Sequence, residues 1–351
     1  MMEQQSTMAD ESNDEDVILE LRDVSVTFDM DRGVSRVVDK VNLDVRRGEI
    51  VGVVGESGSG KSMLASSMLD AVVDPGELSG EITYYPEDGD PIDVLGLSHE
   101  ELMQFRWEKI SMVFQGAMSS FNPTMKMQGH FIETLDAHGA DRAAGMKRAR
   151  ELLSDLYMDP DRVLDSYPHE LSGGMKQRAL IALGLVLEPE VLVMDEPTAA
   201  LDLLMQRSII SLLADIRDKY NLTMAFVTHD LPLVTKLADR IAVLYAFELA
   251  EIGPTGEILH DPAHPYTRAL LNATPNLDMP LEEMRPIGGQ APDPVNVPEG
   301  CSYHPRCPLA DETCRQSDPD FRTVSDTHKA ACHHWEQAAD AVTFDVEKVK
   351  R

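Results

Sequence analysis

The run Ile50-Val-Gly-Val-Val54 leads straight into Gly55-Glu56-Ser57-Gly58-Ser59-Gly60-Lys61-Ser62, and no other stretch restricts the fold as tightly. A continuous apolar run suits a strand covered on both faces. The eight residues after it fit G-x-x-x-x-G-K-[ST] between a strand and an apolar helix, the context expected of a phosphate-binding loop. Gly55, Gly58 and Gly60 let backbone N–H groups point inward around phosphate oxygens, and the following helix adds its positive end. Lys61 offers a charge to the terminal phosphates, and Ser62 offers a hydroxyl to Mg²⁺. A Gly-rich turn that merely starts a helix is the bland alternative, and the complete pattern weighs against it.

The rest of the chain supplies a sheet for this loop. Val17–Leu21, Val24–Phe28 and Val41–Val45 alternate apolar and polar residues, as half-buried strands do. Val191–Met194 and Met224–Val227 read as further buried strands, with a helix-like segment, Leu203 to Lys219, between them. Strand, helix, strand predicts a parallel α/β sheet. Helical and loop-like sequence fills roughly 98–170. Asp195-Glu196 follows a buried strand, where one carboxylate can join a Mg²⁺ shell and the next can orient or deprotonate water. Alone the pair is weak, because strand ends are often acidic; behind a phosphate-binding loop it is strong.

Composition removes several functions. Asp and Glu total 61 against 31 Lys and Arg, a formal charge of −30. Such a chain repels nucleic-acid phosphates, so no nucleic-acid partner is expected. The acids are interleaved with apolar segments, which argues against wholesale disorder. The excess suits a high-salt cytoplasm, where ions screen self-repulsion; plain acidity without salt adaptation is the alternative. No apolar run reaches the length of a membrane span. Residues 1–16 read as an acidic disordered tail rather than a signal peptide.

Leu171-Ser172-Gly173-Gly174-Met175-Lys-Gln-Arg178 resembles the signature sequence of ABC ATPases, and the resemblance covers nearly all of residues 17–335. It implies a P-loop ABC ATPase domain over 17–259. That domain would combine a RecA-like parallel core, an antiparallel β subdomain and an α-helical subdomain at roughly 98–185. It also implies roles. Gln115 looks like the Q-loop glutamine that contacts Mg²⁺ and water, so Ser62, Gln115 and Asp195 would share the metal. Glu196 would be catalytic, His229 would sense the γ-phosphate, and Phe28 would stack on the base. Ala199-Ala-Leu-Asp202 looks like the D-loop. Taken singly, Gln115 and His229 have ordinary surface readings; their order along the chain favours the functional ones. In the family the signature caps ATP held by the opposite subunit. Each motif occurs once here, so two complete sites need two chains.

Three stretches, Ser111–Pro123, His264–Leu271 and Gly300–Ala310, look like the ATPases of oligopeptide, dipeptide and nickel importers. The resemblance implies a second, non-identical ATPase, two permease subunits, an external binding protein acting indirectly, and a place on the cytoplasmic face of the membrane. The chain departs from the family at Gly116-Ala117, where Asp-Pro is usual, and at Ala199, where Thr is usual. The first departure puts the docking partner in doubt; neither residue is expected at the phosphates.

All four cysteines, Cys301, Cys307, Cys314 and Cys332, fall in a Pro- and Gly-rich appendage expected over 260–340, before a tail at 341–351. Four thiolates suit zinc or an iron–sulfur cluster, and the close C-x2-C pairs usual for zinc are missing. Some members of the importer family carry a [4Fe–4S] cluster at such cysteines, so a cluster, zinc and unliganded thiols all remain open. A structural staple is the favoured role. His304, His333 and His334 read as solvated surface. Two rival functions stand beside the importer: a soluble ABC ATPase of repair or translation, and a nucleotide-gated subunit that no longer hydrolyses ATP. The absence of a heptad insertion opposes the first; Lys61, Glu196 and His229 oppose the second.

Overall fold

In the computed structural model residues 16–199, 201–273 and 287–341 are described. The first apolar-alternating stretches merge: Val17–Leu21 and Val24–Phe28 form one strand, β1 (Val17–Met30), with register shifts around Asp23, whose φ is 49°. It turns into β2 (Gly33–Arg46), which contains Val41–Val45. The chain then crosses as β3 (Ile50–Val54) into a second sheet and returns as β4 (Gly76–Tyr84) and β5 (Ile92–Asp93). The first sheet is antiparallel, in the order β2-β1-β4-β5.

The second sheet has eight strands. After β6 (Ile110–Val113) come β7 (Val191–Asp195), β8 (Thr223–Val227), β9 (Arg240–Tyr245), β10 (Glu248–Pro254), β11 (Phe321–Ser325) and β12 (His328–Ala331). Their order is β11-β12-β10-β9-β3-β8-β7-β6. The inner pairs β6·β7, β7·β8, β8·β3 and β3·β9 are parallel. Every residue of β3, β7 and β8 is buried, which is why these strands read as unbroken apolar runs. Their carboxyl ends open on one edge, the crevice where open α/β sheets bind ligands.

Between β6 and β7 lies the helical part. The helices Met127–Ala137 and Arg142–Asp155 pack through Phe131, Leu135, Ala149, Leu152 and Leu153, all essentially inaccessible to solvent. Asp141 caps the second by accepting from Ala144 N at 2.7 Å. The stretch expected to be helical and loop-like at roughly 98–170 also contains β6, the apolar run just before Gln115, which pairs in register with β7.

The largest difference from the sequence concerns residues after 260. They read as a separate appendage, yet β12 pairs with β10 through Glu251↔Ala330 and Ile252↔Lys329, and β11 pairs with β12. Pro294 O also accepts from Arg36 N at 2.9 Å, adding a backbone contact to β2. The segment is loop-rich because it is draped over the cassette and borrows its core: Cys301, Tyr303 and Cys314 lie in the same apolar cluster as β3, β7 and β8. The expected tails at 1–15 and 342–351, and Ala200, lie outside the described residues.

Candidate functional site

The phosphate-binding loop folds as a cradle between β3 and the helix Lys61–Ser67. Two positions need glycine. Gly60 has φ +101°, and a Cβ there would sit 2.2 Å from Val37 O; a Cβ on Gly55 would sit 2.3 Å from Leu244 O. Lys61 is 5% exposed and donates to Gly55 O at 2.9 Å and Glu56 O at 2.8 Å. Burial lowers its pKa, against Glu196, Asp195 and Glu56, which favour the charge. The Ser59 hydroxyl is buried with no hydrogen-bond partner, the state expected of a donor waiting for a phosphate oxygen. Ser57 and Gly58 complete the turn, and a Cβ on Gly58 would meet nothing within 4 Å.

The ends of three neighbouring strands bring the acidic half to this cradle. Ser62 Oγ donates to Asp195 Oδ1 at 2.9 Å, so the two groups expected to hold Mg²⁺ already touch. Burial raises the Asp195 pKa, with Glu196 adding to it and Ser62 and Lys61 opposing; a divalent cation would relieve that cost. Glu196 follows β7 with φ 45°, a strained conformation for a side-chain-bearing residue. One of its oxygens accepts the Gln115 amide at 3.0 Å, and the other lies 3.0 Å from His229 Nδ1. A hydroxyl, two carboxylates, an amide and an imidazole thus converge beside a lysine. Such a set can hold a metal-bound triphosphate and position a water against it.

The remaining expected residues lie elsewhere. Ser172 caps the helix Gly173–Gly184, accepting from Met175 N at 3.3 Å. Leu171 is buried beneath it, and Gly174 leaves room for Met205, whose Cε would lie 2.0 Å from an added Cβ. Asp202 caps the helix Leu203–Tyr220, accepting from Met205 N at 3.0 Å. Signature and D-loop therefore sit side by side, with no hydrogen bond to residues 55–62 among the described residues. Phe28 lies on the antiparallel sheet, its ring against Gly76.

The four cysteines are free; Cys301, Cys314 and Cys332 are buried and Cys307 is half-buried. Burial pushes the Cys301 thiol up to about 11 and the Cys332 thiol to about 12, and in each case neighbouring cysteines add to the shift. Burial likewise raises Cys307 and Cys314. The charged forms of neighbouring cysteines thus disfavour one another. Among the described residues, the trio of ligand atoms within 4.8 Å of one another is Asp311, Cys314 and His334; no three cysteine sulfurs approach that closely. His334 had read as solvated surface, yet its Nε2 lies 3.0 Å from Asp311 Oδ2. No spacing rule pointed to Asp311.

Two further residues at the cradle were not legible. Arg306 grips Glu56 with both terminal nitrogens, at 2.7 and 3.0 Å, and Glu56 N donates to Tyr266 OH at 2.9 Å. Arg306 is 250 residues from Glu56, so spacing carried no signal. Tyr266 stood inside His264–Leu271, which had served only to suggest a subfamily.

Comparison with known proteins agrees with this geometry. Residues 38–199 match the model of the ABC transporter family, and residues 250–314 match the C-terminal region of oligopeptide and dipeptide transporters. The chain is 39% identical to the dipeptide transport ATP-binding protein DppD of Caldanaerobacter subterraneus, over 92% of this chain and 98% of that one. It is 37% identical to the oligopeptide transport ATP-binding protein OppD of Salmonella typhimurium, over 86% and 90% respectively. A dimeric ABC transporter cassette of known structure superposes with a TM-score of 0.58 and 29% identity, covering 68% of this chain and 99% of that one.

Proposed function

We propose, for a chain that belongs to the ABC transporter ATP-binding proteins, that it hydrolyses ATP to drive peptide import through membrane permeases that it does not itself provide. The observation that carries this is the match at 39% identity to nearly the whole of a dipeptide transport ATP-binding protein, C-terminal region included. A soluble repair or translation ATPase is disfavoured by that full-length match. Among the described residues no helix is long and apolar enough to cross a membrane, which fits a subunit held at the cytoplasmic face by its partners.

In this proposal Gly55–Gly60 and Lys61 cradle the β- and γ-phosphates. Ser62, Asp195 and Gln115 would hold Mg²⁺, which when bound neutralises phosphate charge. Glu196 would orient and deprotonate the attacking water, with His229 fixing its carboxylate and facing the γ-phosphate. Leu171–Met175 would cap the ATP of a second cassette, a heterodimeric partner, through the N-terminal end of their helix, with Asp202 at the crossing. Phe28 is assigned to the base on its family position alone. Closure on ATP and reopening after hydrolysis would move the permeases, because the two states bind nucleotide differently. The test is uptake of labelled dipeptide into vesicles holding the permeases, both ATPases and the external binding protein. Uptake that survives Lys61→Ala in this chain would refute the assignment.

The cysteines are assigned to a [4Fe–4S] cluster, with zinc as the alternative. Four thiols whose charge is opposed by burial and, for Cys301 and Cys332, by neighbouring cysteines suit a cationic group that stabilises thiolates. Such a group would staple a segment that has little core of its own. Iron, sulfide and zinc analysis of anaerobically purified protein decides between them. The −30 charge is assigned to a high-salt cytoplasm; ATPase activity that falls steadily as KCl rises above its ordinary intracellular level would oppose that.

A further inference from the structure

We propose that Arg306 is a positioning residue that makes ATP affinity at the P-loop depend on the state of the cysteine loop 301–307. The inference rests on the cradle being the ATP site. Glu56 is the second residue of that cradle, and its carboxylate lies near enough to Lys61 to act on the lysine's charge. Its Oε2 and Oε1 take Arg306 Nη1 and Nη2 at 2.7 and 3.0 Å, the paired geometry that neutralises a carboxylate and fixes its direction. The Arg306 side chain is 4% exposed, so water cannot replace it.

Arg306 is held from the cysteine side. It directly precedes Cys307, and its Nε donates to Gly288 O at 2.6 Å. Its guanidinium lies 5.7 Å from the centre of the Tyr245 ring. Tyr245, Tyr266 and Tyr303 form one aromatic plug, with centroids 4.5, 5.0 and 5.5 Å apart. Tyr303 lies between Cys301 and Cys307, and Tyr266 OH receives Glu56 N. The loop therefore reaches Glu56 twice, through the arginine and through the plug. If the thiols are gathered, Arg306 is aimed at Glu56. If the loop loosens, the carboxylate is left unpaired beside the phosphates and repels them.

The test is equilibrium binding of a fluorescent ATP analogue with Mg²⁺ to the purified full chain, with melting temperatures and metal content recorded in parallel. Arg306→Ala should weaken binding about tenfold, a usual size for coupling between sites. Adding Glu56→Gln to Arg306→Ala should restore most of the loss. Cys307→Ser should weaken binding in the wild type and add little in the Arg306→Ala background. Wild-type binding by Arg306→Ala, no rescue by Glu56→Gln, or fully additive effects of Cys307→Ser and Arg306→Ala would overturn the proposal. Rescue by Glu56→Gln also separates the electrostatic effect from misfolding, which a second substitution would not repair. Lys61→Ala tests the underlying assignment: if it binds as well as wild type, the cradle is not the ATP site; if it alone loses binding, only the role of Arg306 fails.

Discussion

The Nδ1 of His229 lies 3.0 Å from Glu196 Oε1, brought there by the paired ends of β7 and β8. The other oxygen is already engaged by Gln115. Glu196→Gln keeps the shape and removes the base. Turnover in the assembled complex should fall by about 10²–10⁴, the usual worth of a positioned general base, while ATP affinity stays within a few-fold. His229→Ala should lower turnover too, and the double substitution should cost far less than the product of the singles, because the two act as a unit. Multiplying losses would contradict the pairing.

The cradle glycines should not be equivalent. Gly58 and Gly60 both have positive φ, at +81° and +101°, but a Cβ at 58 meets open space whereas one at 60 meets Val37 O at 2.2 Å. Gly58→Ala should cost about 1 kcal/mol of backbone strain and leave measurable ATP binding. Gly60→Ala adds a backbone clash and should abolish binding while leaving most far-UV circular dichroism intact. Equal effects of the two on nucleotide titration would contradict this account of the loop.

How much of this was visible beforehand follows a physical line. Asp195, Glu196 and His229 sit at or just past the ends of fully buried strands, and Lys61 and Ser62 open the helix that the loop after β3 leads into; such strands announce themselves as apolar runs. Phosphate chemistry restricts the residues next to them, so pattern and chemistry coincide. Arg306 and Tyr266 reach the cradle across tertiary space, and no local period or spacing records such a contact. The pairing of residues after 260 with the cassette is hidden for a related reason. β12 has four residues, and its pairing with β10 depends on a neighbour over seventy positions away. Glu251, the buried acid of β10, carries no local sign of its burial.

The signature helix should matter only between chains. Among the described residues Ser172 and Gly173 make no hydrogen bond to residues 55–62 of their own chain, so Ser172→Arg should leave ATP affinity of the isolated protein within about twofold, as for distant independent sites. The same substitution should block turnover in the paired cassettes by placing a bulky side chain where the opposite nucleotide is capped. Losing the cap to Met175 N would itself cost about 1 kcal/mol, which a melting curve would register in both settings. Turnover unaffected by Ser172→Arg would show that one chain suffices.

The C-terminal segment should be fastened in a pH-dependent way. Glu251 is fully inaccessible and accepts from Ala263 N at 2.5 Å and His264 N at 3.1 Å. His328 Nε2 lies 2.7 Å from it, and Nδ1 lies 3.4 Å from Glu257. Burial opposes charge on His328, but Glu251, Glu257 and Asp261 outweigh it and raise its pKa. Neighbouring His264 goes the other way, to about 4 by burial, and stays neutral with its Nδ1 accepting from Tyr266 N. A group whose pKa is raised by folding lends stability that is complete below its unfolded value, about 6.5, and is lost as pH climbs through the folded value. His328→Asn should therefore lower stability most at pH 6, by about 3–5 kcal/mol for breaking a buried pair. The gap to wild type should narrow by pH 9. Urea unfolding midpoints at the two pH values measure this, and a gap that does not change with pH would show that His328 is held as a neutral donor.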